Sequence, residues 1–116
     1  PLSCAAALAV LDIVTDESFL AQARELGETL RARLEDLASR VDDIGEVRGL
    51  GPMLAFEFEE RAPDRAKAVV ETAFDRGLVL LSCGLYGNVI RLLPPLTISP
   101  DELDEGLAIL EESLGA

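Results

Sequence analysis

A single arginine interrupts an apolar segment in the last third of the sequence. Residues 87–98 read GNVIRLLPPLTI, in which Arg91 is the only charged side chain. A guanidinium keeps its charge throughout the accessible pH range, and its burial without a partner is costly. Its planar fork of N–H donors matches the two oxygens of a carboxylate. Arg91 is therefore a candidate carboxylate-binding residue.

Three interpretations of Arg91 are open from the residues alone. In a β-strand, Arg91 shares a face with Val89 and Leu93. The arginine can lie on an edge strand whose face is wet, or it can pair with a carboxylate of the protein. It can also present its fork to the carboxylate of a ligand. Spacing alone favours the two structural interpretations over the ligand.

Other residue types with catalytic potential give weaker signals. The chain contains no histidine, and Cys4 and Cys83 lie far apart without a CxxC motif, so neither a metal site nor a Cys–His pair is predicted. Two reduced thiols are favoured over a disulfide. Lys67 is the only lysine and falls off the apolar stripe of its predicted helix, which indicates a solvated surface residue. The sequence GLGP at 49–52 is typical of a tight turn between strands rather than of a phosphate-binding loop.

The composition excludes several classes of partner. With 22 acidic and 10 basic side chains in 116 residues, the formal net charge is −12, so nucleic acid and anionic membranes are expected to be repelled. A hydrophobic share of 49% is typical of one soluble globular domain. No apolar run reaches the length of a membrane span, about 18 residues. A cytoplasmic protein is therefore expected.

The periodicity of the sequence predicts eight elements in the order α-α-β-β-α-β-β-α. The helices are predicted over 3–14, from Thr15–Ser18 to Val41, from Pro63 to a stop at Gly77, and from Ser99 onwards; the strands are predicted over 46–49, 53–59, 78–82 and 88–93. This order predicts an α/β fold of the α+β type, with a small, mostly antiparallel sheet of three to four strands covered by helices.

Each predicted element has one apolar face, which identifies the expected core. The residues predicted to be buried are Ala23, Leu26, Leu30, Leu34, Leu37 and Val41 in the second helix, Leu54, Phe56 and Phe58 in the second strand, Ala66, Val69, Val70, Ala73 and Phe74 in the third helix, and Leu103, Leu107, Leu110 and Leu114 in the last helix. Ser99 and Glu102 predict a capping box at the start of the last helix. The surface pairs predicted at i,i+4 spacing are Arg24 with Glu28 and Arg31 with Glu35.

Five segments, taken in order, resemble a known family. They are PLSCAAALAVLD at 1–12, VRGLGPMLAFEF at 47–58, RGLVLLSCG at 76–84, YGNVIRLLPPLTI at 86–98 and SPDELDEGLAIL at 99–110. Together they resemble the C-terminal part of class III (omega-) aminotransferases, and they are most similar to the 4-aminobutyrate aminotransferases. The segment from LLSCG to PPLTI is the most specific part of the resemblance.

The resemblance implies a role for Arg91. In this family a large domain holds pyridoxal 5'-phosphate through a Schiff base to a lysine, and a C-terminal small domain covers the site. The family's carboxylate-binding arginine precedes the PPLTI segment and matches Arg91, which would bind the α-carboxylate of a substrate such as glutamate or 2-oxoglutarate. Without that ligand, the arginine could pair with a glutamate of the large domain.

The same resemblance implies that most of the active site lies outside this chain. Residues 1–116 are expected to be the small domain of a fold-type I transferase, with 1–14 a helix that leads in from the large domain. The Schiff-base lysine and the residues that hold the cofactor are expected upstream of Pro1, so this chain is expected to contain no catalytic or cofactor-binding residue, to bind no cofactor and to be inactive alone. The parent is expected to be a homodimer or a dimer of dimers.

Two other classes of function are open. The chain can be a free-standing binding or regulatory module that captures small carboxylates through Arg91. It can also be an interaction domain whose exposed apolar surface docks a partner. The sequence does not fix which ω-amino acid is the amino donor.

Overall fold

The structure, a computed structural model, describes residues 1–61 and 63–115. These residues contain four helices and four strands. They are α1 Leu2–Val14, α2 Glu17–Arg40, β1 Ile44–Leu50, β2 Met53–Phe58, α3 Pro63–Asp75, β3 Leu81–Cys83, β4 Val89–Leu92 and α4 Pro100–Leu114. The predicted order of elements is confirmed.

The strands form one antiparallel sheet in the order β1-β2-β4-β3. Strand β4 is therefore an interior strand, paired with β2 on one side and β3 on the other. The side chains of one face, called the inner face here, pack against α2, α3 and α4. Leu54, Phe56, Phe58 and Ile90 on that face are at most 1% exposed. The predicted α+β sheet covered by helices is confirmed.

Helix α2 begins at a well-formed cap and buries the middle of the predicted stripe, whereas Ala23 and Leu26 are only half-buried. The carboxylate of Asp16 accepts hydrogen bonds from the backbone N–H groups of Ser18 and Phe19, at 2.9 and 3.1 Å. These bonds, with one from the Ser18 hydroxyl as the largest cause, lower the pKa of Asp16. The buried positions of the helix are Gly27, Leu30, Leu34 and Leu37.

One of the two predicted i,i+4 pairs forms. Arg31 lies 3.7 Å from Glu35, as predicted, whereas Arg24 lies 3.5 Å from Glu17 instead of pairing with Glu28. Glu17 stands two helical turns before Arg24, on the same side of the helix. Both side chains are well exposed, so small differences in solvation decide between such partners.

The capping box at the start of α4 is confirmed. The Ser99 hydroxyl accepts from the Glu102 N–H at 3.3 Å, and the Glu102 carboxylate accepts from the Ser99 N–H at 3.0 Å. The carboxylate also accepts from the Ser99 hydroxyl at 2.7 Å, which is the first cause of the lowered pKa of Glu102. The leucine stripe of α4 packs on the core, with Leu107, Leu110 and Leu114 buried.

The third strand is shorter than predicted. Residues 78–80 were expected to begin it, but β3 covers only Leu81–Cys83. Leu81 pairs with Arg91, so residues 78 and 79 would fall opposite Pro94 and Leu93, beyond the end of β4 at Leu92. Leu78 instead donates its N–H to the carbonyl of Ala73, which completes the end of α3.

The predicted burial of Phe74 is wrong. The side chain is 67% exposed, while Ala66, Val69 and Ala73 form the buried line of α3. Phe74 follows Ala73 directly and therefore lies about 100° further around the helix axis. It falls outside the stripe that faces the core.

Candidate carboxylate-binding site

Arg91 lies on the outer face of the sheet, which is the face opposite the helices α2, α3 and α4. The register places Leu81 of β3 and Ala55 of β2 on either side of it, and Arg48 of β1 beyond Ala55. We call this line of side chains the arginine row. Neighbouring strands are about 4.8 Å apart, so the two arginine positions are separated by about 10 Å.

The structure separates the three interpretations of Arg91. The edge-strand interpretation is wrong, because β4 lies between β2 and β3. The side chain is nevertheless exposed. Within residues 1–61 and 63–115, Arg91 makes no ion pair with a carboxylate of the protein. Binding of a ligand carboxylate stays a prediction, and the geometry leaves the guanidinium free for it.

Arg48, at the other end of the arginine row, has the opposite electrostatic environment. Its guanidinium lies 2.6 Å from the carboxylate of Glu57 and 2.8 Å from that of Glu46. The hydrogen bond from Arg48 is the largest cause of the lowered pKa of Glu57, and the same contact raises the pKa of Arg48. Two carboxylates therefore compensate this guanidinium within the chain.

Asn88 connects this ion-pair cluster to the start of β4. Its side chain is 1% exposed, and its amide nitrogen donates to the Phe58 carbonyl at 2.8 Å and to Glu57 at 3.3 Å. The backbone carbonyl of Asn88 accepts a hydrogen bond from the Phe58 N–H at 2.9 Å. Neither Asn88 nor the pair of Arg48 with Glu57 was predicted from the sequence. The sequence feature that could have identified Asn88 is a carboxamide directly before an apolar strand, because a buried carboxamide needs hydrogen-bond partners.

The two ends of the outer face differ in how far other residues of the chain cover them. At one end the loop 84–87 covers Val89, and a Cβ at Gly84 would lie only 2.8 Å from a methyl group of Val89. At the other end a rim of apolar side chains is exposed. This apolar rim consists of Leu50, Met53, Val79, Leu81 and Leu93. Exposed apolar groups of this density are typical of a surface that is covered in a larger assembly.

A cleft of about 250 Å³ lies where the end of β4 meets α4. Its lining includes Arg91 and Glu102 but consists mainly of apolar residues, such as Leu30, Leu92 and Leu107. The carboxylate of Glu102 is already engaged by the helix cap. The cleft therefore offers apolar surface next to Arg91 rather than a second polar group.

The residues of this chain do not fit a pyridoxal-phosphate site by themselves. Lys67 is a surface residue, as predicted: its side chain is 71% exposed and its ammonium lies 3.9 Å from Glu71. It stands on α3, on the other side of the sheet from the arginine row. Cys4 and Cys83 are free thiols. The described residues contain no cluster of side chains that could hold a metal ion.

Comparisons with known proteins identify the family of this chain. The sequence matches the family described as aminotransferase class-III over residues 1–114. The 5-aminovalerate aminotransferase DavT of Pseudomonas putida is 46% identical over 117 residues, which cover 97% of this chain and 28% of that protein. The 4-aminobutyrate aminotransferase of Mycobacterium leprae is 41% identical over 120 residues, which cover 99% of this chain and 27% of that protein.

The fold is also found in solved structures. A phospholyase from Arthrobacter, solved in complex with phosphoethanolamine, matches with a TM-score of 0.89 and 35% identity, and the match covers 100% of this chain and 29% of that chain. The chain therefore belongs to the class-III aminotransferase family. It spans less than a third of the length of the relatives that it matches. No helix in the described residues is both long and apolar enough to cross a membrane.

Proposed function

We propose that this chain is the small, substrate-covering domain of an ω-amino acid:2-oxoglutarate transaminase, in which Arg91 binds the α-carboxylate of the substrate. The observation that supports this most is the exposed guanidinium on an interior strand of the sheet, which pairs with no carboxylate within residues 1–61 and 63–115. An interior strand is held on both sides, so it fixes the base of the side chain. A fixed bidentate fork orients the bound carboxylate as well as attracting it.

The amino donor in this proposal is 4-aminobutyrate, which would yield succinate semialdehyde while 2-oxoglutarate becomes glutamate. Relatives at 41% and 46% identity are named for 4-aminobutyrate and 5-aminovalerate, respectively. These two donors differ by one methylene group, which an apolar contact discriminates only weakly. The proposed class is therefore an aminotransferase of ω-amino acids, with 4-aminobutyrate as its donor.

The remaining parts of the active site belong to a longer protein in this proposal. Pyridoxal 5'-phosphate would supply the electron sink for transamination, and a lysine outside residues 1–116 would hold it. Helix α1 buries none of its side chains in this chain, and Leu8 and Leu11 are exposed. We propose that α1 and the apolar rim pack on the large domain, and that the parent protein is a homodimer or a dimer of dimers.

The test of this function is an assay of the longer protein that contains this chain. We expect it to form glutamate from 2-oxoglutarate with 4-aminobutyrate as donor, whereas residues 1–116 alone give no turnover. 5-Aminovalerate is the comparison donor. A longer protein that binds pyridoxal phosphate but uses neither ω-amino acid would contradict the proposal.

The alternative function is a free-standing module that binds small carboxylates. A titration distinguishes it from the small-domain proposal. Residues 1–116 are titrated with glutamate and with 2-oxoglutarate, and Arg91→Ala is the matched variant. The small-domain proposal expects weak or no binding, because one arginine is only part of a site. Tight binding that Arg91→Ala abolishes would favour the module.

A further inference from the structure

Glu57 occupies a ladder position next to two arginines. Arg48 and Arg91 both stand opposite Ala55, on the two strands that flank β2. Glu57 lies two residues further along β2 on the same face, so it is a diagonal neighbour of each arginine. Diagonal positions in a sheet are about 7–8 Å apart, which long side chains can span. The carboxylate of Glu57 is therefore within reach of Arg91 as well as of Arg48, and the charge of Arg61 also lowers its pKa.

The structure shows that Glu57 is held by Arg48. Oε2 of Glu57 lies 2.6 Å from Nη2 of Arg48, and Oε1 lies 3.3 Å from the amide nitrogen of Asn88. Asn88 is itself fixed, because its amide also donates to the backbone of Phe58. Both oxygens of the carboxylate are thus engaged by groups other than Arg91.

We propose that Arg48 is a positioning residue that keeps the carboxylate of Glu57 away from Arg91 and so leaves Arg91 free for the substrate. This inference rests on the proposed function of Arg91. Arg48 does not touch the substrate: its charge is compensated by Glu57 and by Glu46, at 2.8 Å. A chain with a net charge of −12 has an excess of carboxylates, so a guanidinium stays available only if the carboxylates around it are occupied by other groups.

The test uses steady-state kinetics of the full-length enzyme. In Arg48→Met, Glu57 loses its ion-pair partner and keeps the Asn88 amide, so we expect its carboxylate to pair with Arg91, in competition with the carboxylate of 2-oxoglutarate. We expect the KM for 2-oxoglutarate to rise about two- to fivefold, the range of an exposed ion pair. The kcat should stay within about twofold, because the competition weakens binding in the ground state and the transition state alike.

Rescue by a second substitution separates positioning from a structural role. The double variant Arg48→Met with Glu57→Gln has no carboxylate at position 57, so its KM should return to within about twofold of the wild-type value. A general loosening of the sheet would not be repaired by Glu57→Gln. The matched control is Arg33→Met, which breaks the ion pair of Arg33 with Asp104, at 3.0 Å, away from the sheet. Its KM should equal that of the wild type.

The side chain of Arg48 is 42% exposed, so its replacement leaves no closed cavity. If Arg48→Met does not fold, Arg48→Gln is the second variant, with the same expected rise and the same rescue. An unchanged KM in the Arg48 variant, or a raised KM that Glu57→Gln does not restore, overturns the inference. If the KM is insensitive to Arg91→Ala as well, the proposed function of Arg91 fails instead.

Discussion

The inner and outer faces of the sheet differ in what they need from the rest of the protein. On the inner face, Phe56 and Ile90 are at most 1% exposed beneath three helices of the same chain. On the outer face, the neighbouring residue Arg91 is exposed, and the apolar rim lies beside it. The inner face is covered by helices of this chain, whereas the outer face exposes charge and apolar surface, which we propose a substrate and a further domain cover. Because successive side chains of a strand point to opposite faces, the adjacent residues Ile90 and Arg91 belong to the core and to the candidate site, respectively.

The largest expected effect is on the inner face. Phe56→Ala is expected to lower the free energy of unfolding by about 3–5 kcal/mol, because it opens a cavity in a packed core. The measurement is urea unfolding of residues 1–116. Met53→Ala, on the outer face of the same strand and 48% exposed, is the matched control and should cost less than about 1 kcal/mol. Equal losses in the two variants would contradict the difference between the faces.

A smaller effect is expected at the cap of α4. Ser99→Ala should lower the free energy of unfolding by about 1 kcal/mol near neutral pH. The pKa of Glu102 is below its ordinary value of 4.5 in the folded chain, first because of the Ser99 hydroxyl. The contribution of the ionised Glu102 side chain to the free energy of unfolding is therefore present above pH 4.5, and it is lost as the pH falls through the pKa of Glu102 in the folded chain.

The check on the cap is the pH dependence of unfolding. The wild type should lose stability as the pH falls below 4.5, and Glu102→Gln should lose less over the same interval. Glu105→Gln, an exposed carboxylate of the same helix, is the matched control. A Glu102→Gln curve that parallels the wild type at every pH would rule out this role of the capping box.

The smallest effect is expected on the apolar rim. Leu50 is 84% exposed, so Leu50→Ser should change the stability of residues 1–116 by less than about 0.5 kcal/mol. In the full-length protein the same substitution should lower the melting temperature if the rim packs on a large domain, as we propose. A melting temperature that is unchanged in both proteins would show that the rim stays exposed.

Much of the inner face could be predicted from the sequence. Apolar periodicity gave the stripes of α2 and α4, and the spacing of Ser99 and Glu102 gave the capping box. These features depend on residues within one or two turns of each other, which is what a single sequence records. Phe74 was placed wrongly because it lies at the margin of the stripe, where a small rotation of the helix decides burial.

The candidate site was only half predictable. Arg91 was identifiable as a charge in an apolar strand, and the resemblance to a family gave it a role. The link between Arg48, Glu57 and Asn88 depends on strand register, because these residues come together only when β1, β2 and β4 are aligned. The edge-strand interpretation of Arg91 could not be excluded from the sequence for the same reason, because strand order is a property of the whole sheet.

The central claim is that Arg91 binds the α-carboxylate of the substrate. Its most direct test is the kcat/KM for 2-oxoglutarate in the full-length enzyme with Arg91→Ala and Arg91→Lys. We expect Arg91→Ala to lower kcat/KM about tenfold to a hundredfold, the range of a charge-assisted hydrogen bond, and Arg91→Lys to lower it less, because the lysine keeps the charge and loses the fork. A kcat/KM within about twofold of the wild type in both folded variants would contradict the claim.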